Sequence, residues 1–155
     1  MTLRRISVTS AGLTTSVTAY TSGDVVGTEF TFANVVGAIA IADGSGQIIG
    51  ASITDEGNQL AACELVLFKA ASTPAADNAA ATWSAANIRN YVGVIKFATA
   101  DMNVAATNRY GTIVLTGLGI PFTSTGSLFG TLVTRSANSF FVAVTDITIS
   151  LMINS

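Results

Sequence analysis

The sequence predicts an all-β protein: an antiparallel β-sandwich or jelly roll of about eight or nine strands, with one short helix near 85–90. Three observations point there. Apolar residues recur with period two rather than 3.6. Threonine, β-branched and suited to a pleated surface, is abundant. The 155 residues are half hydrophobic yet only 10% charged, against roughly 25% in an ordinary soluble domain.

The elements follow in order. Leu13–Tyr20 reads as a first strand. Phe30 and Phe32 share a face, with Glu29 and Thr31 opposite. A turn at Asp43–Gly46 feeds a strand in which Ile49, Ala51 and Ile53 alternate with Gly50, Ser52 and Thr54. Leu65–Phe68, between Glu64 and Lys69, is apolar on both faces. Ala70–Thr82 has Pro74 and no periodicity, so it is a loop. Ser84 is placed to cap a helix over Ala85–Asn90, with Trp83 and Ile88 at the positions of a hydrophobic staple and Gly93 beyond the end. Val92–Phe97 is a strand interrupted by Lys96.

Tyr110–Thr134, uncharged between Arg109 and Arg135, has the length of a membrane span. Its threonines, glycines and Pro121 make it two strands and a loop instead. Within it Ile113 and Leu115 alternate with Thr112, Val114 and Thr116, and Leu128–Val133 is again apolar on both faces. At the C-terminal end Ile147, Ile149, Leu151 and Ile153 alternate with Asp146, Thr148, Ser150 and Asn154, as a half-buried strand requires. The reading is a single β-sandwich domain, 13–155, behind an N-terminal arm, 1–12. Ile6–Ser10 is too polar to follow the Arg4-Arg5 pair as a signal peptide, so no export signal is expected. The lone Cys63 fits a reducing compartment.

Composition excludes several chemistries. With no histidine there is no Ser-His-Asp or Cys-His catalysis and no histidine-held metal. One cysteine allows neither an intrachain disulfide nor a thiolate zinc site. Seven basic against nine acidic residues, a net charge of −2, give no field for nucleic acid. Gly44-Ser45-Gly46 and Gly50 have a nucleotide-loop look, but such a loop must open a helix, and a strand follows. Asp55, Glu56 and Glu64 are carboxylates without a recognisable cleft. Asp77-Asn78 and Asp101 with Asn103 lack calcium-ligand spacing. Cys63 reads as a buried thiol. Trp83, Tyr91, Phe97 and Tyr110 could make a sugar platform but suit a core better. No enzyme, cofactor, metal or membrane role is expected.

Some segments resemble a family of small tailed-bacteriophage virion proteins. They are Ala19-Tyr20-Thr21-Ser22-Gly23-Asp24-Val25-Val26-Gly27, the Gly44-Ser45-Gly46 cluster, Ile53-Thr54-Asp55, Leu65-Val66-Leu67-Phe68, Pro74, Asp77-Asn78-Ala79-Ala80 and Leu132-Val133-Thr134-Arg135. The resemblance spans about residues 13–153, with a shorter glycine cluster here. It implies a jelly-roll-type decoration or cement protein on the outer capsid, made in the host cytoplasm, with the major capsid protein as partner and a homo-oligomer, a trimer favoured. It carries over no catalytic residue. Arg4 and Arg5 on the arm are the candidate capsid contacts. The alternative is a phage tail or fibre component that grips glycan, which would expose Trp83 or tyrosines on one rim. Strands apolar on both faces, together with scarce charge, point to a surface covered by assembly.

Overall fold

Strands form where alternate residues can enter one shared core. This computed structural model describes residues 3–9, 15, 18–33, 45–59, 62–105, 108–114, 119–123, 126–136 and 147–154. Among them are ten strands: β1 (Leu3–Thr9), β2 (Val25–Phe32), β3 (Ser45–Asp55), β4 (Cys63–Phe68), β5 (Tyr91–Phe97), β6 (Met102–Ala105), β7 (Asn108–Val114), β8 (Ile120–Thr123), β9 (Leu128–Thr134) and β10 (Ile147–Asn154). A short helix, α1 (Ala85–Ile88), precedes β5.

The strands make two antiparallel sheets. One runs β1-β10-β3-β7-β6, with β8 also paired to β3; the other runs β2-β9-β4-β5. The pairing is nested: β1 with β10, β2 with β9, β3 with β8, β4 with β5. Successive pairs fall in alternate sheets, which is the winding of a jelly roll. The β6–β7 hairpin extends this plan, with β7 lying along the second half of β3. The expected all-β sandwich is therefore the fold, with ten strands rather than eight or nine. The excess has two sources. The uncharged run holds three strands, not two, and β6 adds a short one.

Two segment assignments change. Residues 3–9 of the expected arm are strand β1, in register from Leu3 opposite Asn154 to Thr9 opposite Thr148. An edge of β10 left bare would present unpaired N–H and C=O groups, and β1 satisfies them. The boundary near residue 12 lies outside the described residues. Of the strand expected over Leu13–Tyr20, the described Thr15 and Thr18–Tyr20 belong to no strand. Tyr20 is instead fully buried as an anchor.

Alternation sorts the core. Phe30 and Phe32 point inward and meet edge to face, 5.4 Å apart. Ile147, Ile149, Leu151 and Ile153 join them between the sheets, with Leu65, Leu67, Ile95 and Leu132 from the four-stranded side. The face expected for β3 shifts at one point. Met152 pairs with Gly50 but Ile153 pairs with Ile48, so Ile49 is the extra residue of a β-bulge. Ile48 then takes the inward place expected for Ile49, while Ala51 and Ile53 keep theirs.

Beside the bulge, a Cβ on Gly50 would sit 2.3 Å from the Ile113 carbonyl oxygen and 2.7 Å from Met152 Cε. Backbone cannot give way as a side chain can. Gly50→Ala should therefore destabilise by about 2 kcal/mol, as overpacking does. Gly126→Ala, with nothing within 4 Å of the new methyl, should shift the same urea midpoint little.

The strands that read as apolar on both faces acquire a cover from the chain itself. On the outer face of the four-stranded sheet, Val66, Phe68 and Val133 form a second apolar cluster with Ala81, Trp83, Val94 and Phe129. Trp83 packs on Phe68 at 5.6 Å. This corrects the staple: Trp83 turns to the sheet, and Ile88 stays 52% exposed. The cap is as expected, with the Asn87 N–H donating to Ser84 Oγ at 3.2 Å. No helix among the described residues is long and apolar enough to cross a membrane.

Candidate functional site

The most organised polar site joins two of the segments that carry the family resemblance. The Ala19–Gly27 segment and the Asp77–Ala80 segment hold each other. Tyr20 Oη donates to Asp77 Oδ1 at 2.6 Å, and the Gly27 N–H donates to the same oxygen at 2.6 Å. Backbone bonds run alongside: Val25 N–H to Ala79 O, Asn78 N–H to Val25 O, and Ala81 N–H to Gly23 O, each 2.9 Å. Gly27 adopts φ 74°, where β2 carries extra residues between Val26 and Phe30 relative to β9. A left-handed glycine at a bulge turns its N–H out of the ladder, here toward Asp77. Asp24 closes the tight turn before β2, accepting from Thr21 N–H and Oγ1, both at 2.7 Å.

A second fastening holds the same loop farther along. Glu29 Oε2 accepts from the buried Ser72, through its N–H at 2.7 Å and its hydroxyl. Asn87 Nδ2 donates to Ser72 O and, at 3.2 Å, to Thr73 Oγ1, which ties α1 to the loop. The stretch from residue 70 to 88 is thus strapped to β2 by carboxylates and to the sheet face by Trp83.

Glu64, on β4, sits at a rim. Arg135 Nη2 reaches Glu64 Oε2 at 2.5 Å and Lys96 Nζ lies 3.4 Å from Oε1. The hydrogen-bonded Arg135 guanidinium holds the Glu64 carboxyl below its usual range, against the opposing pull of partial burial and with help from Lys96. A pocket of about 300 Å³ opens here, lined in part by Cys63, Phe97 and Thr99. It holds one carboxylate compensated by two cations, which is no acid–base pair. Cys63 is buried, and that burial, reinforced by Asp55 and Glu64, pushes its thiol far up. It is neither a ready nucleophile nor a ready ligand.

A carboxyl with a depressed folded pKa stabilises the fold above its unfolded value, near 4.3, and loses that contribution as pH falls through the folded value. Glu64→Gln should therefore cost about 1 kcal/mol at pH 7. Urea melts of the two proteins should converge as the pH is taken below about 4.

The remaining sequence candidates scatter. Ser45 and Gly46 lie in strand β3, not at a helix start, so no nucleotide loop forms; Asp43 and Gly44 lie outside the described residues. Asp55 is fully buried and folds the next turn, accepting from Gly57 N–H at 3.0 Å and Gln59 N–H at 2.7 Å. Asp101 accepts from the Ala98 N–H at 2.8 Å. No group of three or more metal-ligating side chains occurs among the described residues. Phe97 is in the core, whereas Tyr91 and Tyr110 are exposed on different sheets. Trp83 is half-buried with its Nε1 out of solvent, not the exposed rim residue of the glycan reading. Arg4 and Arg5 lie on β1, opposite Ile153 and Met152. Sequence reasoning missed the Tyr20–Asp77, Glu29–Ser72 and Glu64–Arg135 partnerships. Only the joint appearance of the first two segments in the family pattern hinted at any of them.

A scan against protein-family models finds no match, and no curated protein matches the chain. Solved structures do match. A chain in the structure of tomato aspermy virus is 9% identical with a TM-score of 0.39, covering 98% of this chain and 75% of that one. One of Desmodium yellow mottle tymovirus is 15% identical with a TM-score of 0.27, covering 98% and 79%. One of the native Kashmir bee virus virion at neutral pH is 14% identical with a TM-score of 0.27, covering 97% and 67%. All three are virus structures. Overlaps this loose establish neither kinship nor role.

Proposed function

We propose that the protein is a non-enzymatic structural component of a virion. In its most concrete form it is a decoration or cement protein on the outer capsid of a tailed bacteriophage, bound to the major capsid protein as a homo-oligomer, a trimer favoured. The observation that carries this reading is the nested strand order. Jelly rolls of that winding recur in capsid and lectin domains and in cupins, and this chain has no histidine for a cupin-type metal. The step from winding to role is an analogy of fold. It is supported by the fate of the carboxylates: Asp24, Glu29, Asp55, Asp77 and Asp101 each accept a backbone N–H. Groups used as fastenings are not poised for acid–base work. An oligomer with several weak shell contacts would gain through effective concentration.

Arg4 and Arg5 are retained as proposed capsid contacts, presented from an edge strand. The alternative glycan grip is less well supported, with Trp83 turned to the sheet and the exposed Tyr91 and Tyr110 on different sheets rather than one rim. Co-sedimentation with shells lacking the protein tests the proposal. Binding that weakens with added salt and on Arg4→Ala with Arg5→Ala is expected; no binding together with a monomeric mass overturns it.

A further inference from the structure

Of the five large hydrophobics exposed among the described residues, four fall in two places, and Val104, on the edge strand β6, stands apart. At the end of α1, Ile88 is 52% and Tyr91 47% exposed. The Lys69 N–H donates to the Asn90 carbonyl at 2.9 Å, which brings the Lys69 backbone to the residue after Arg89. Both cations are exposed, and the ion pairs of the described residues involve neither. The second place is on the six-stranded sheet. Tyr110, Thr112 and Val114 share one face of β7 by alternation and all are exposed, Val114 at 68%. Thr54 stands opposite Tyr110 and Asp55 opposite Arg109, so Glu56 follows at that end of the stripe. Glu56 is exposed and is in neither ion pair found among the described residues; the nearby Arg109 Nε donates to Asn58 Oδ1 at 2.6 Å.

One patch is apolar and cationic; the other is apolar and ends at the exposed Glu56, with Arg109 held by Asn58 alongside, and the two belong to opposite sheets. They complement each other but cannot meet within one chain. We propose that the Ile88–Tyr91 corner of one copy, with Lys69 and Arg89, docks on the Tyr110–Val114 stripe and Glu56 of a second copy. The contact is head-to-tail: each copy offers both surfaces and uses each once. Contacts of this type close into rings or run on as filaments, according to the rotation between copies. The inference rests on the homo-oligomer of the proposed function, for which it names the contact, and not on binding to a shell.

Native mass spectrometry and light scattering test it with three variants, all changed at exposed side chains and checked by thermal melts. Lys69→Glu with Arg89→Glu breaks the corner, and Tyr110→Ser with Val114→Ser breaks the stripe. Each alone should be monomeric where the unmodified chain is oligomeric. An equimolar mixture should give dimers and nothing larger, because one intact corner and one intact stripe remain. Adding Glu56→Lys to the corner variant should restore assembly by exchanging the charges. A monomeric unmodified chain at tens of micromolar, a broken variant that keeps its full mass, or a mixture that stays monomeric would each overturn the proposal. So would a corner variant that loses shell binding while keeping its mass, because the corner would then face the shell. Shell binding by the unmodified chain is read separately: a broken variant that keeps its mass overturns this contact alone, whereas a monomeric chain that binds no shell overturns the proposed function as well.

Discussion

Asp77→Ala should lower the unfolding free energy by about 3 kcal/mol and the melting temperature by roughly 6–12 °C. The large effect comes from what is left behind. One carboxylate oxygen accepts both from Tyr20, fully buried, and from the Gly27 backbone. Removing it takes a shared carboxylate acceptor from the Tyr20 phenol and the Gly27 N–H at once, and a buried donor that loses its acceptor costs about 1–3 kcal/mol. Tyr20→Phe deletes a donor rather than stranding one, and should cost about 1 kcal/mol. Asp77→Asn keeps an oxygen in place and should fall between the two. Urea denaturation resolves all three, and the single tryptophan, Trp83, gives a local signal because it lies on the strap that Asp77 fastens.

Phe68→Ala should cost about 4 kcal/mol and shift the Trp83 emission to longer wavelength. Phe68 is fully buried, with the Trp83 ring 5.6 Å and the Tyr91 ring 6.1 Å away. It is the floor on which the strap lies. Its loss removes apolar contact and leaves a cavity that the sheet backbone cannot close. Val66→Ala, at the edge of the same cluster, should cost less and leave the emission almost unchanged. Equal losses at the two positions would mean that Phe68 does not seat the strap.

Alternation made much of the fold legible. Ile147 to Ile153 and the Phe30–Phe32 pair declare their inward faces in the sequence, and Ser84 declares its cap. Period two counts residues, however, and a bulge adds one, so the β3 face was misplaced by a single position at Ile49. Leu65–Phe68 declared two buried faces but not what covers them. Covering by other subunits and covering by residues 70–83 give the same local pattern. That loop has no periodicity to read. Its order comes from Asp77, Glu29 and Ser72, whose partners lie far away in the chain. The candidate site was legible only as a family pattern, because a hydrogen bond between distant segments leaves no spacing signature.

The nested pairing also sets a timetable for synthesis. β10 lies between β1 and β3, yet it is the last of these strands to leave the ribosome. Until residues 147–154 have emerged, β1 has no neighbour and β3 lacks one flank. The six-stranded layer cannot close progressively behind the growing chain. Pairings this distant in sequence carry a high contact order, which places folding in the millisecond-to-second range. Throughout that interval the edges of β1 and β3 are open to pairing with other nascent chains.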